Sequence, residues 1–153
     1  MKTAIVYYSE HHGNTKKLLD AIAKLGDVTL IKAIDSPDTN LSEYDLIGFA
    51  SGIYYSKFHD IVLKFAKRNL PPDKMVFLIY TYGMKRKSYT DTITQIINSK
   101  GAKILGVYGC PGFDTFGPLK LFGGIAKGRP NSEDITGAVK FFTEICIEGR
   151  RFA

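Results

Sequence analysis

Tyr7-Tyr8-Ser9-Glu10-His11-His12-Gly13-Asn14-Thr15 joins two segments of different periodicity, and its reading decides the fold. Before it, Thr3-Ala4-Ile5-Val6-Tyr7 is short, apolar and rich in β-branched residues, the pattern of a buried strand. After it, Thr15, Leu18, Leu19, Ile22 and Leu25 recur at helical spacing and predict an amphipathic helix over Thr15–Leu25. A polar loop therefore links a buried strand to a helix N-terminus. Such a junction aims unpaired backbone N–H groups and the positive end of the helix dipole at one point. Hydroxyls of Ser9 and Thr15 can donate there as well, so the loop can hold a phosphate. The same residues also suit an ordinary turn, with Asn14 or Thr15 as N-cap and Gly13 in the bend.

Outward from this loop, short apolar runs alternate with helical stripes. Strands are predicted at Thr3–Tyr8, Val28–Ala33, Tyr44–Ala50, Met75–Tyr80 and Lys103–Tyr108. Helical stripes are formed by Phe58, Ile61, Val62 and Phe65, by Tyr89, Ile93, Ile96 and Ile97, and by Ile135, Ala138, Val139, Phe142 and Ile145. Apolar strands alternating with helices imply a parallel sheet covered on both faces. The expected architecture is α/β: one doubly wound, five-stranded parallel sheet in three layers, strand order 2-1-3-4-5, with residues 1–153 as one domain. In such a sheet, ligands bind beyond the carboxyl ends of the strands, where the first and third diverge.

Three further loops are predicted at that edge. Strand three runs into Ser51-Gly52-Ile53-Tyr54-Tyr55, strand four into Thr81-Tyr82-Gly83-Met84, and strand five into Gly109-Cys110-Pro111-Gly112-Phe113. Glycines let backbone amides approach a planar polar ring edge, and aromatic faces can sandwich the ring. A flat aromatic group carrying a phosphate would suit the set. The long Gly/Pro-rich segment Cys110–Pro130 is read as a lid, with Phe113 and Phe116 over the ligand edge and Gly123-Gly124 letting the remainder move, the alternative being a static cap over exposed core.

Composition limits the alternatives. The chain has 153 residues, 44% hydrophobic and 24% charged, which is globular. No apolar run approaches the roughly 20 residues of a membrane span, and no signal-peptide pattern precedes the first strand, so a cytoplasmic protein is expected. Cys110 and Cys146 are too few for a disulfide framework; Cys146 falls on a helical core stripe, and Cys110 is counted with the ligand loops. His11, His12 and His59 lack metal-ligand spacing. The net charge of +6 comes largely from Lys57, Lys85, Arg86, Lys87, Lys120, Lys127 and Arg129, dispersed in or beside predicted loops. No nucleic-acid motif accompanies them, so nucleic acid is not the expected partner.

The Ser9–Thr15 loop, Ser51-Gly52-Ile53-Tyr54 and Thr81-Tyr82-Gly83 resemble those of the flavodoxins and flavodoxin-like flavoproteins, and the resemblance covers nearly the whole chain. It implies FMN, bound noncovalently. By the same resemblance Ser9, His11, His12, Gly13, Asn14 and Thr15 would hold its phosphate, while Ser51, Gly52, Ile53, Tyr54, Thr81, Tyr82 and Gly83 would line its isoalloxazine. The implied function is electron transfer with a partner protein. The alternative is an FMN-dependent oxidoreductase of the NAD(P)H:flavin, quinone or porphyrinogen type; a phosphate- or nucleotide-binding module without flavin is a third reading. A receiver domain lacks its acidic pocket here, and a low-molecular-weight phosphatase would need a cysteine opening the first loop. Three departures from the family pattern stand out, one of them the Gly/Pro-rich segment from Cys110 to Pro130 before the last helix. The phosphate loop is one residue longer, with His11-His12 where a hydroxyl is usual, and the basic Lys85-Arg86-Lys87 replaces an acidic loop, which suits an acidic redox partner.

Overall fold

The computed structural model describes residues 1–152. In chain order it contains β1 (Thr3–Tyr8), α1 (Asn14–Ile22), β2 (Val28–Lys32), β3 (Leu46–Tyr54), β4 (Lys57–Phe58), α2 (Asp60–Asn69), β5 (Met75–Tyr82), α3 (Asp91–Ser99), β6 (Lys103–Pro111) and α4 (Ser132–Phe152). The long strands are all parallel and lie in the order β2-β1-β3-β5-β6, the flavodoxin-like arrangement expected. A sixth strand, the two-residue β4, was not expected; it pairs antiparallel with the end of β3. Among the described residues no helix is long and apolar enough to cross a membrane.

Both faces of the sheet are buried, which is why its strands read as apolar runs without alternation. On β1, Ile5 and Tyr7 pack with Leu18, Leu19 and Ile22 of α1 and with Ala138, Phe142 and Ile145 of α4. Ala4 and Val6 point to the other face, toward Val62 and Phe65 of α2 and Ile93 and Ile97 of α3. The helical stripes read from sequence thus divide into two pairs, one on each side.

Strand ends differ most from expectation. Ser51–Tyr54, Thr81–Tyr82 and Gly109–Pro111 were read as loops because of their glycines and tyrosines, yet they continue β3, β5 and β6. The pairings Gly52↔Thr81, Thr81↔Cys110 and Tyr82↔Pro111 account for this: a neighbouring strand supplies ladder partners and overrides weak local β preference. Phe58, read as the start of a helical stripe, is instead buried from β4, and α2 begins two residues later. The α1 N-cap is Gly13, at φ 63°, rather than Asn14 or Thr15.

One cross-strand row fixes how closely the layers approach. Phe77 on β5 stands opposite Gly48 on β3 and Gly106 on β6. A Cβ at Gly48 would lie 2.5 Å from the Phe77 ring, so the ring occupies the space a side chain would take. We expect Gly48→Ala to destabilise the fold by about 1–3 kcal/mol, the range for overpacking a dense interior. Urea unfolding followed by far-UV circular dichroism would measure it.

Candidate functional site

The carboxyl ends of β1, β3 and β5 open into a cleft of about 440 Å³, within the range of small-molecule sites. Ser9, His11, Asn14 and Thr15 line one end. Gly52, Ile53, Tyr54 and Tyr55 form a second wall; Thr81, Tyr82, Gly83, Met84 and Arg86 form a third. Phe113, Asp114, Phe116, Leu119 and Ile125 close it from the segment after β6.

The β1–α1 loop leaves several hydrogen-bond donors free at the start of α1. Gly13 carries the left-handed turn that starts α1, and its carbonyl accepts the first helical bond from Lys17 at 3.1 Å. The amides of Asn14 and Thr15 precede that bond and have no intrahelical acceptor. Ser9 Oγ accepts from the Lys16 amide at 3.1 Å, which leaves its own proton to donate. Thr15 and Thr81 hydroxyls bond each other at 2.9 Å, so one of the two protons remains for a ligand. Asn14 differs: its Nδ2 donates to the Phe113 carbonyl at 2.8 Å, while its buried Oδ1 has no partner among the described residues. A buried orphan acceptor costs about 1–3 kcal/mol, and only a donor can relieve it.

The segment after β6 is an ordered cover. Asp114 bridges to Ile125 in an antiparallel hairpin, with a 3-10 turn at Gly117–Phe122 between them. The hairpin is clasped to the β1–α1 loop. Besides the Asn14 bond, His12 Nε2 lies 2.9 Å from Thr115 Oγ1, its ring packs on Phe113, and His11 Nε2 lies 3.6 Å from Asp114 Oδ1. Across the cleft, a Cβ on Gly83 would meet Asp114 Oδ2 at 2.5 Å, so the loop after β5 packs directly on the hairpin and a side chain at Gly83 would displace the Asp114 carboxylate. At its far end the hairpin is tied to α4. The Phe113 amide donates to the Arg129 carbonyl at 2.9 Å, and the Arg129 guanidinium grips Asp134 through two 2.6 Å bonds. That hydrogen-bonded guanidinium holds the Asp134 carboxyl below the usual carboxylate range.

Twelve residues singled out from sequence therefore meet at this cleft: Ser9, His11, Asn14, Thr15, Gly52, Ile53, Tyr54, Thr81, Tyr82, Gly83, Phe113 and Phe116. Four do not line it. Cys110 is 3% exposed within the core against α1 and α4, and burial pushes its thiol up to about 12. It shares a sheet face with its register partner Thr81 but is covered there by α1 and α4. Ser51 is also buried; its hydroxyl accepts from the His59 amide at 3.0 Å and so braces the start of α2. Gly13 and His12 shape the loop and clasp the hairpin from outside the lining.

Tyr55, Ser56, Met84, Arg86, Tyr89, Gly112, Asp114, Leu119 and Ile125 complete the lining; Tyr55, Met84 and Gly112 lay in the loops expected at this edge and Arg86 in the basic loop, while Tyr89, Asp114, Leu119 and Ile125 were given no part in the site. Tyr55 and Ser56 sit at φ 49° and 64°, a two-residue turn joining β3 to β4 that usually takes Asn-Gly. Tyr89 was read as core; it is buried, but its hydroxyl donates to the Met84 carbonyl at 2.6 Å and shapes the loop after β5. Leu119 and Ile125 reach the cleft only because the hairpin folds back.

A doubly wound α/β sheet with a cleft at its switch point and free amides at the start of α1 defines the class: a protein of flavodoxin-like architecture. Residues 5–108 match the family model described as the flavodoxin domain, and the chain belongs to that family. It is 39% identical over 149 residues to an uncharacterized protein of Methanocaldococcus jannaschii, covering 95% of this chain and 98% of that one. Among solved structures, it resembles a flavodoxin from the domain Archaea with a TM-score of 0.73 at 21% identity, covering 98% of this chain and 99% of that one. It also resembles a flavoprotein from Lactobacillus acidophilus solved in complex with FMN, with a TM-score of 0.53 at 20% identity, covering 71% and 92%.

His59, unassigned from sequence, supports the second wall of the cleft. Its ring stacks on Tyr8 at 3.9 Å and its Nδ1 accepts from the Ile61 amide at 3.2 Å, capping α2. Burial lowers its pKa below the ordinary 6.5, with adjacent Asp60 pulling the other way. The native state therefore binds fewer protons than the unfolded chain below that value, and stability falls as pH drops through it. Thermal unfolding between pH 8 and pH 5 should show this loss, and His59→Asn, which keeps a capping acceptor without a titrating ring, should flatten the profile.

Proposed function

We propose that the chain forms one flavodoxin-like domain over residues 1–153 that binds FMN noncovalently in this cleft and exchanges electrons with a partner protein. The observation that carries the reading is the open first turn of α1, where free amides and the Ser9 and Thr15 hydroxyls meet at one end of a cleft walled by aromatic and apolar side chains. A ligand suited to that end presents an anion to the amides and hydroxyls and, next to it, a donor to Asn14. Its remainder must be flat and largely apolar to lie among Tyr54, Tyr55, Tyr82, Met84 and Phe116. FMN has these three parts in that order: phosphate, polyhydroxy chain and flat ring. The FMN complex of the structurally similar Lactobacillus protein supports the choice.

Bound FMN would supply the redox chemistry. The protein's contribution is binding, orientation and electrostatics. Ser9, Thr15 and the first amides of α1 hold the phosphate, and Asn14 accepts from a chain hydroxyl. In this reading His11, His12 and Gly13 set the loop's shape while the two imidazoles keep the hairpin seated. Backbone at Gly52, Tyr82 and Gly83 approaches the polar ring edge, and Tyr55 and Phe116 exclude water. Arg86 brings positive charge to the cleft and favours the electron-rich form of the ring. A partner protein fits a cleft whose rim is apolar and open. Arg86 also favours the second reading, an oxidoreductase acting on an anionic small substrate or a nicotinamide phosphate. NADPH oxidation with and without a quinone separates the two.

Titration of apoprotein followed by flavin fluorescence tests the cofactor. Stoichiometric FMN uptake is expected, and Ser9→Ala with Thr15→Ala should weaken FMN by about 100-fold, from two lost bonds to a charged group. Riboflavin, which has no phosphate, should be nearly unaffected by that pair. Asn14→Ala should weaken both flavins alike, since both carry the polyhydroxy chain.

Potentiometry tests the electrostatics. Changing Lys85, Arg86 and Lys87 to Gln should make the bound flavin harder to reduce, with the shift shrinking as salt is raised.

A further inference from the structure

The rim of the cleft combines two features rarely left in water. Its three segments are the β3–β4 turn, the loop after β5 and the hairpin after β6. They carry Tyr55, Met84, Phe116, Leu121 and Phe122, which are 60–85% exposed. These are the five most exposed large apolar side chains among the described residues; the next, Phe152, is 55% exposed. Tyr55 packs edge-on against Phe116 with ring centroids 5.8 Å apart, so the patch bridges two of the three segments. Leu121 and Phe122 end the 3-10 turn of the hairpin. Burial of such a group is favourable, and exposed clusters of this kind mark interaction sites.

The charge around the patch has one sign. Lys85, Arg86, Lys87, Lys120 and Lys127 are exposed on the same loops, and none makes an ion pair among the described residues. The one carboxylate in these segments, Asp114, turns inward to His11. Lys17, Lys24, Lys64, Lys67, Lys103, Arg150 and Arg151 are also exposed without an acidic partner among the described residues, so what sets the rim apart is that its cations surround an apolar patch with no outward carboxylate among them.

We propose that this rim is a docking surface for an acidic protein, whose carboxylates meet Lys85, Lys87, Lys120 and Lys127 around an apolar centre that covers Tyr55, Phe116, Leu121 and Phe122. The inference deepens the electron-transfer reading and rests on it for the purpose of the contact, although the surface itself is defined by the chain alone. An apolar centre with a charged rim is the anatomy of a protein interface, and the unpaired cations set the sign of the partner. A second copy of this chain would bring like charge against like charge. A lipid surface shares the negative sign but suits the geometry less well. The apolar groups surround an opening on three separate loops, and the 3-10 turn carrying Leu121 and Phe122 is only six residues, too short for an interfacial helix. An occupant on this rim lies directly over the cleft, because Tyr55 and Phe116 belong to both.

The test uses an acidic [2Fe–2S] ferredoxin as probe, basic cytochrome c as the opposite-charge control, and vesicles containing about 30 mol% phosphatidylserine as the lipid arm. Binding to the full chain is measured by calorimetry at about 20 mM and about 500 mM salt. Ferredoxin should bind at low salt and weaken by about tenfold or more at high salt, with cytochrome c not binding. Two paired variants outside the cleft lining, Lys120→Glu with Lys127→Glu and Leu121→Ser with Phe122→Ser, should each weaken ferredoxin by about tenfold. Their circular dichroism and FMN titrations should match the parent. No ferredoxin binding, binding indifferent to salt and to both pairs, or equal binding of cytochrome c would overturn the proposal. Retention on the vesicles that both pairs abolish, without ferredoxin binding, would overturn it in favour of a membrane face; dimerisation at low salt that both pairs abolish would do so in favour of self-association. The ferredoxin titration is read on apoprotein as well. Failure to take up FMN would therefore count against the cofactor alone.

Discussion

β3 is hydrogen-bonded to β1 on one side and to β5 on the other, and the site depends on that double pairing. The chain winds outward in opposite directions from these two neighbours, so the loops leaving β1 and β3 diverge and leave a crevice. Because β3 and β5 stay paired through Gly52↔Thr81, the walls of the crevice are strand ends rather than free loops. A site built on such ends is held by the same ladder that holds the core. The buried Thr15–Thr81 hydroxyl pair ties α1 to β5 directly behind the crevice.

Over this rigid floor lies a cover fixed at both ends. Its start is pinned by Asn14, His11 and His12. Its return is pinned by Arg129 on Asp134, which also exchanges bonds with Asn131 in a reciprocal cap at the start of α4. The tip between these anchors projects apolar groups and lysines into solvent. The protein thus concentrates polar satisfaction at the base of the hairpin and leaves its outer surface unsatisfied. One buried acceptor, Asn14 Oδ1, is unsatisfied at the base as well, on a residue that lines the cleft.

His11 and His12 give the β1–α1 loop a second role: their rings reach outward to Asp114, Thr115 and Phe113 rather than serving the loop alone. The basic loop after β5 and the hairpin face each other across the cleft. One set of charges therefore acts both on what lies in the cleft and on what covers it.

Strand and helix periodicities, being local, were legible in the chain. Five apolar runs predicted the long strands of the sheet, and Ser9-Glu10-His11-His12-Gly13-Asn14-Thr15 predicted the turn from β1 into α1, because a strand, a polar loop and a helix start are contiguous there. Other features depend on partners far away in sequence. Cys110 and Phe113 are three residues apart and looked alike as loop residues. Only the pairing of β6 with β5 decides that one is buried in the core while the other faces the cleft. The inward turn of Leu119 and Ile125, the bracing role of Ser51 and the clasp between His12 and Thr115 are likewise tertiary. Composition and periodicity determine which elements form and which faces they bury; which loop residues meet is decided by long-range hydrogen bonds and close packing, which no local pattern encodes.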